Sequence, residues 1–316
     1  VSDRAHQDEQ GAAEPTLVAL VGPTASGKSE LGVAVAERLG AEVLALDSML
    51  VYRGMDVGTA RLTADERRGV PHHLEDLVEP TERYDVQRYL ADARAAEAAV
   101  RARGRLPLFV GGTGLYLKAL VHGLFDGPAV DQDLRARLAE HAQRVGPVEL
   151  HRELLLRDPP LARRLHPNDT RRVLRGLEVL EQTGRPLSEW QQQWASRGRR
   201  AVLIGLRSDP AELDRRIALR TRRMLERGLV AEVEGVLARG GFGPTASQAL
   251  GYAEVVEHLA GRLAAADLES AIALHTRQFA RRQRTWYRNF DGIRWLPEGL
   301  APEERVEHTL RLVEGA

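Results

Sequence analysis

Four short apolar runs punctuate this chain. Residues 16–21, 42–46, 106–110 and 201–206 are dominated by Val, Leu, Ile and Ala, the composition of strands buried on both faces of a parallel sheet. Between the first two, Leu31, Val35 and Leu39 recur at the spacing of a helix face over residues 29–39, and residues 84–103 form an Ala-rich amphipathic stretch. Strand alternating with helix up to about residue 125 predicts an α/β fold, a parallel sheet with helices on both faces. From 126 to 200 no strand-like run occurs, and helical segments are divided at Gly146-Pro147, Asp158-Pro159-Pro160, His166-Pro167 and Gly184-Arg185-Pro186. The run at 201–206 is expected to rejoin the sheet. Residues 16–125 and 201–316 then make a discontinuous core domain around an all-helical insertion over 126–200. The remainder reads as helical, with Asp209-Pro210 as cap and first turn and breaks at Gly240-Gly241 and Gly261.

The loop after the first strand carries chemistry. Gly22-Pro23-Thr24-Ala25-Ser26-Gly27-Lys28-Ser29 is a complete G-x-x-x-x-G-K-[ST] phosphate loop in the strand, loop, helix setting that motif requires, so the expected sheet is P-loop NTPase-like. Lys28 and Lys118 are the only lysines; every other side-chain cation that is not histidine is arginine. A compact ammonium fits inside a ring of backbone N–H groups where a planar guanidinium does not.

Composition narrows the partners by exclusion. With no cysteine, disulfides, thiolate zinc sites and cysteine nucleophiles are ruled out, and a cytoplasmic address is expected. The ten histidines show no metal-binding spacing. No run approaches the roughly 18 apolar residues of a membrane span, and residues 1–15 read as a polar, disordered lead-in unlike a signal peptide. Net charge is zero, so any nucleic-acid surface must be local.

Asp47 closes the second strand, at the sheet edge where parallel α/β proteins bind ligands. A nucleotide hydrolase would need a further carboxylate closing a later strand. The next strand runs instead into Gly111-Gly112-Thr113-Gly114, which offers N–H groups and a hydroxyl, or simply a tight connection to a helix. Asp47 is therefore the carboxylate expected nearest the phosphates, with capping of its own turn as the plainer alternative. Arg216, Arg220, Arg223 and Arg227 share one stripe of a predicted helix, which either faces solvent or points into the phosphate site. Residues 277–288 mix arginines with Phe279, Trp286 and Tyr287 and hold no acid, a pattern suited to RNA. As an ordinary amphipathic helix the segment would pack Phe279 and Trp286 into the core.

These segments together resemble the bacterial tRNA dimethylallyltransferases, or tRNA isopentenyltransferases, of the IPP transferase family. The likeness runs through the phosphate loop, Asp47-Ser48-Met49-Leu50-Val51-Tyr52-Arg53-Gly54-Met55-Asp56-Val57-Gly58-Thr59-Ala60 and Pro71-His72-His73-Leu74. It continues in Val110-Gly111-Gly112-Thr113-Gly114-Leu115-Tyr116, His166-Pro167-Asn168-Asp169, Gly251-Tyr252 and Thr276-Arg277-Gln278-Phe279-Ala280-Arg281-Arg282-Gln283. The resemblance implies transfer of a dimethylallyl group from dimethylallyl diphosphate to N6 of adenosine 37 in tRNA, by a monomer. It makes Asp47 the general base, Thr113 and Arg220 leaving-group contacts, and Gly22 to Ser29 the diphosphate loop, with Mg²⁺ beside Ser29. It assigns tRNA contacts to Asp47, Ser48, Met49 and Leu50, to Arg171, Arg172, Val173, Leu174 and Arg175, to Gln248, Ala249, Leu250, Gly251, Tyr252 and Ala253, and to Arg281 and Arg284, with the insertion gripping the anticodon stem-loop.

Leu50 departs from the family, many of whose members carry Gln there. The absence of cysteine sets the chain apart from eukaryotic relatives with a zinc finger. Rival readings are a P-loop small-molecule kinase, an isopentenyltransferase for free adenine nucleotides, and a non-enzymatic RNA-binding module. The first is weakened by the missing second carboxylate, the second by the large insertion, and the third by Lys28, Ser29 and Asp47 occurring together.

Overall fold

The structure, a computed structural model, describes residues 16–124, 131–195 and 198–315; the expected lead-in lies outside them. In chain order, β1 (Leu17–Val21), α1 (Lys28–Leu39), β2 (Glu42–Leu46), α2 (Ala64–Arg67), β3 (His72–His73), α3 (Val86–Ala102), β4 (Pro107–Gly111) and α4 (Gly114–His122) form the first stretch. The helices α5 (Gln132–Arg157), α6 (Pro159–Ala162), α7 (Thr170–Thr183) and α8 (Leu187–Ala195) follow. The chain then continues through β5 (Ala201–Gly205), α9 (Pro210–Glu226), α10 (Leu229–Ala238), a 3-10 turn (Ala246–Gln248), α11 (Tyr252–Leu259), α12 (Ala265–Arg288), β6 (Ile293–Trp295) and α13 (Pro302–Glu314).

The strands form one parallel sheet in the order β3-β2-β4-β1-β5-β6. Alternation along each strand sends Val18, Leu20, Val43, Leu108, Val110, Val202 and Ile204 to one face, where they join Leu31, Val35 and Ala36 of α1 and Leu310 of α13 in a buried cluster. The other face receives α3, whose Tyr89 hydroxyl donates to the carbonyl of Ala45 at 3.0 Å. The two outermost strands were not expected. Two residues in β3 and three in β6 are too few to show a periodic pattern, and pairing to β2 and β5 alone makes them strands. The expectation of an entirely helical C-terminal stretch is corrected at β6. His73 and Glu42 meet across β3 and β2 at 2.6 Å, and Arg103 closes on the same carboxylate at 2.6 Å.

The chain separates into two compact units, one of residues 1–121 with 199–316 and one of 122–198. Arg199 belongs to the first because its amide donates to Val121 at 2.9 Å and its guanidinium to Glu97 at 2.7 Å. Within the second, the described regular elements are all helices. Leu134, Leu138, Leu150, Leu154, Leu161, Val173 and Leu177 make its core. Gly146, with φ of 81°, interrupts α5 just before Pro147.

Candidate active site

Strand register gathers three loops. Val21 of β1 and Leu46 of β2 both pair with Gly111 of β4, so Gly22, Asp47 and Gly112 leave neighbouring strands at the carboxyl edge. Gly111 is required there, since a Cβ would lie 2.1 Å from the Leu46 carbonyl oxygen. The N–H groups of Gly112 and Thr113 both donate to that oxygen at 3.1 Å, and the Thr113 hydroxyl accepts from the Ser48 N–H at 3.2 Å. The second glycine loop is thereby fastened over the start of the Asp47 loop. Asp47 Oδ1 accepts from Met49 N–H at 2.8 Å, so the carboxylate does cap its turn. Its second oxygen takes no hydrogen bond among the described residues.

The phosphate loop leads into α1 through Gly27, which has φ of 85° and provides no side-chain cap. A helix start left uncapped presents N–H groups to an anion. Lys28 Nζ donates to the Pro23 carbonyl at 3.2 Å across the loop. Burial pulls its ammonium down to about 8; the negative charge of Asp47 opposes that fall and Arg220 adds to it. From α9, Arg220 donates to the Thr24 hydroxyl at 3.0 Å. Burial lowers its pKa as well, again opposed by Asp47. Three groups thus share one electrostatic site: two poorly solvated cations and a carboxylate.

The arginine stripe resolves into different roles. Arg216 is tied to Glu212 at 2.8 Å, and Arg216, Arg223 and Arg227 line a groove of about 960 Å³ that also contains Gly27, Lys28, Ser29 and Arg220. Among the described residues of the stripe, only Arg220 bonds the phosphate loop. Ser29 is exposed on this groove. The described residues contain no cluster of three His, Asp or Glu fit for a metal. A single hydroxyl suits an ion that draws its other ligands from phosphate oxygens and water, as Mg²⁺ does.

Over residues 277–288 of α12, the buried residues are Ala280, Gln283 and Tyr287. Phe279 and Trp286 are only half-buried, short of the full core packing of the amphipathic-helix alternative. Trp286 instead covers Gly114, where a Cβ would meet its ring at 2.4 Å, and stacks on Phe290 with centroids 5.0 Å apart. Arg281 is exposed and Arg284 half-buried. Of the other expected RNA contacts, Ser48, Met49 and Leu50 are half-exposed, Gln248 is exposed, and Leu250 and Ala253 lie between. Ala249, Gly251 and Tyr252 are buried, so the Ala249 and Tyr252 side chains present almost no surface. The Tyr252 hydroxyl donates to Glu232 at 2.5 Å. In the helical unit, Arg171 and Arg172 are exposed, Leu174 and Arg175 half-buried, and Val173 is a core residue with no side-chain surface to offer.

Glu232 escaped the reading of the sequence, and Gln283 stood in a matched segment with no role assigned to it. Glu232 accepts from the N–H groups of Asp56, Val57 and Gly58 at 2.9, 2.8 and 3.1 Å. Gln283 joins two loops, through Thr24 and Gly112. Glu232 had no signal, being one acid on an ordinary helix. Gln283 had a faint one, a polar residue at the inward spacing of Ala280 and Tyr287.

The phosphate loop, the uncapped helix start and a carboxylate at the end of β2, with only β4 between it and β1, define a P-loop-type group-transfer enzyme rather than a nucleotide hydrolase. The "IPP transferase" family pattern matches residues 50–290 and the "Isopentenyl transferase" pattern residues 15–73. The chain is 46% identical over 289 residues to the tRNA dimethylallyltransferase of Desulforudis audaxviator, covering 89% of this chain and 92% of that one. It is also 46% identical to that of Salinispora arenicola, over 95% and 87%. The crystal structure of the full-length tRNA isopentenylpyrophosphate transferase from Bacillus halodurans superposes with a TM-score of 0.71 at 37% identity, covering 95% and 96%. A eukaryotic dimethylallyltransferase acting on tRNA gives 0.79 at 27% identity, over 95% and 80%. The chain belongs to the IPP transferase family.

Proposed function

We propose that this chain transfers a dimethylallyl group from dimethylallyl diphosphate to N6 of adenosine 37 in tRNA, releasing pyrophosphate. The observation that carries the reading is the pairing of a phosphate loop after β1 with one carboxylate, Asp47, at the same sheet edge after β2, across the intervening β4. In the reaction N6 bonds to the prenyl C1 as the C1–O bond breaks, and the electron pair leaves with the diphosphate. Asp47 takes the N6 proton, which a weakly nucleophilic aryl-type amine must lose as it attacks. The loop N–H groups, Lys28, Arg220 and Thr113 stabilise the growing charge on the diphosphate. Mg²⁺, held by Ser29 and phosphate oxygens, would supply further charge neutralisation when bound.

The acceptor base must be unstacked to reach the carboxylate. Ser48, Met49, Leu50, Gln248 and Arg281, with Arg284, are the exposed or half-exposed groups assigned to RNA in the core, and Arg171, Arg172 and Arg175 those in the helical unit, which would hold the anticodon stem-loop. Leu250, Ala253 and Leu174 would add apolar contact, while the buried Val173, Ala249, Gly251 and Tyr252 would support these surfaces from beneath. The scheme is placed in a cytoplasmic monomer; the described residues include no helix long and apolar enough to cross a membrane.

The test is incubation with unmodified tRNA, labelled dimethylallyl diphosphate and Mg²⁺, beside Asp47→Ala and a free AMP control. Label entering tRNA and not AMP, at a rate at least about a hundredfold lower in the variant, is the expected result. Label entering AMP would favour the free-nucleotide reading, and consumption of ATP with no labelled product the kinase reading.

A further inference from the structure

Gln283 has no part in the scheme above, yet it holds the site's two loops. Its side chain is 8% exposed, on the face of α12 that also buries Ala280 and Tyr287. Its Oε1 accepts from the Thr24 N–H at 2.8 Å, and its Nε2 donates to the Gly112 carbonyl at 2.8 Å. The fit leaves no slack, because a Cβ at Gly112 would lie 2.4 Å from that Nε2. Thr24 is also the residue whose hydroxyl accepts from Arg220 at 3.0 Å, so Gln283 and Arg220 together hold the N–H and the hydroxyl of Thr24. Gly112 in turn donates to Leu46 at 3.1 Å, one residue before Asp47. One amide therefore connects the phosphate loop to the strand end that carries the carboxylate. Both of its partners are backbone groups, one a donor and one an acceptor. Only a side chain that accepts and donates at once satisfies them.

We propose that Gln283 is a positioning residue whose amide sets the separation between the phosphate loop and the Gly112 loop, and so the placement of the diphosphate relative to Asp47. This rests on the assignment of those loops to the diphosphate. Glu at this position keeps the acceptor for Thr24 but sets a carboxylate against the Gly112 carbonyl and beside the anion. Met keeps the length and offers neither bond.

The experiment compares Gln283→Glu and Gln283→Met with the wild type in thermal midpoint, KM for dimethylallyl diphosphate, KM for tRNA and kcat, with Lys28→Ala as a control. The diphosphate KM is expected to rise about tenfold or more in Gln283→Glu, and by a smaller factor in Gln283→Met, since a buried partner left unpaired is costly. The tRNA KM should stay within about twofold, and the midpoint within a few degrees. An unchanged diphosphate KM in both variants overturns the proposal. So does unfolding of both below the assay temperature, which would make Gln283 a structural tie only. If Lys28→Ala itself leaves the diphosphate KM unaltered, the loop assignment fails instead, whatever the Gln283 variants do.

Discussion

Lys28 is held down to about 8 in the free protein, chiefly by burial and partly by Arg220. A diphosphate placed in the loop supplies the counter-charge that burial removed and should return the ammonium at least to its ordinary 10.5. Binding then carries a proton with it. At pH ~9 the free site is mostly deprotonated and should take up about 0.9 proton per ligand, while at pH ~7 uptake should be about 0.1. The same linkage weakens binding by about tenfold between those two pH values. Dimethylallyl diphosphate suits the measurement because its terminal phosphate is already ionised above pH ~7. Calorimetry in two buffers of different ionisation enthalpy, without RNA, reads the proton count directly. In Lys28→Arg the cation no longer titrates, and any remaining binding should be flat across this range. Equal uptake at both pH values, or the same uptake in Lys28→Arg, refutes the reasoning. Stability runs the opposite way. Between about 8 and 10.5 the unfolded chain holds more protons on this group than the folded one, so its contribution to folding improves as pH rises through that window.

Arg220→Gln removes the contact to Thr24 at 3.0 Å and a cation from the leaving group, and should lower kcat by about 10²–10³ in a single-turnover transfer assay. Glu42→Gln should destabilise by about 2 kcal/mol near neutral pH in urea titrations. That difference should shrink as pH falls from 4.5 towards 2, because hydrogen bonding from Arg103 holds the carboxylate down to about 2, and the stability it contributes is lost on protonation. Glu232→Ala strands three N–H groups and the Tyr252 hydroxyl, and should cost about 3 kcal/mol by the same measurement. Gly111→Ala would set a methyl 2.1 Å from the Leu46 carbonyl oxygen, a backbone clash that should cost about 3 kcal/mol or more and show as loss of the cooperative thermal transition.

The elements of the core were legible in the sequence wherever a periodic signal was long enough. The runs at 17–21, 42–46, 107–111 and 201–205 are strands, because short, mainly apolar runs bounded by turn residues suit a parallel sheet covered on both faces. The phosphate loop was legible for a related reason: its function lies in backbone N–H groups and one ammonium within eight consecutive residues, so nothing distant is needed to specify it. Asp47 and the Gly112 loop could be named but not placed. Their proximity to Gly22 follows from β1 and β2 both pairing with β4, a choice among strand orders that no local pattern makes. Helical spacing puts Arg216, Arg220 and Arg223 on one stripe; the family resemblance singled out Arg220, and the seat of α9 is what brings it, and not the other two, to Thr24. The same holds for Gln283 and Glu232, whose partners are backbone groups far away in the chain. A backbone N–H or C=O is present at every residue of either partner loop and leaves no mark in the sequence. Which side chain meets it is therefore settled by packing, once the sheet has brought the loops together.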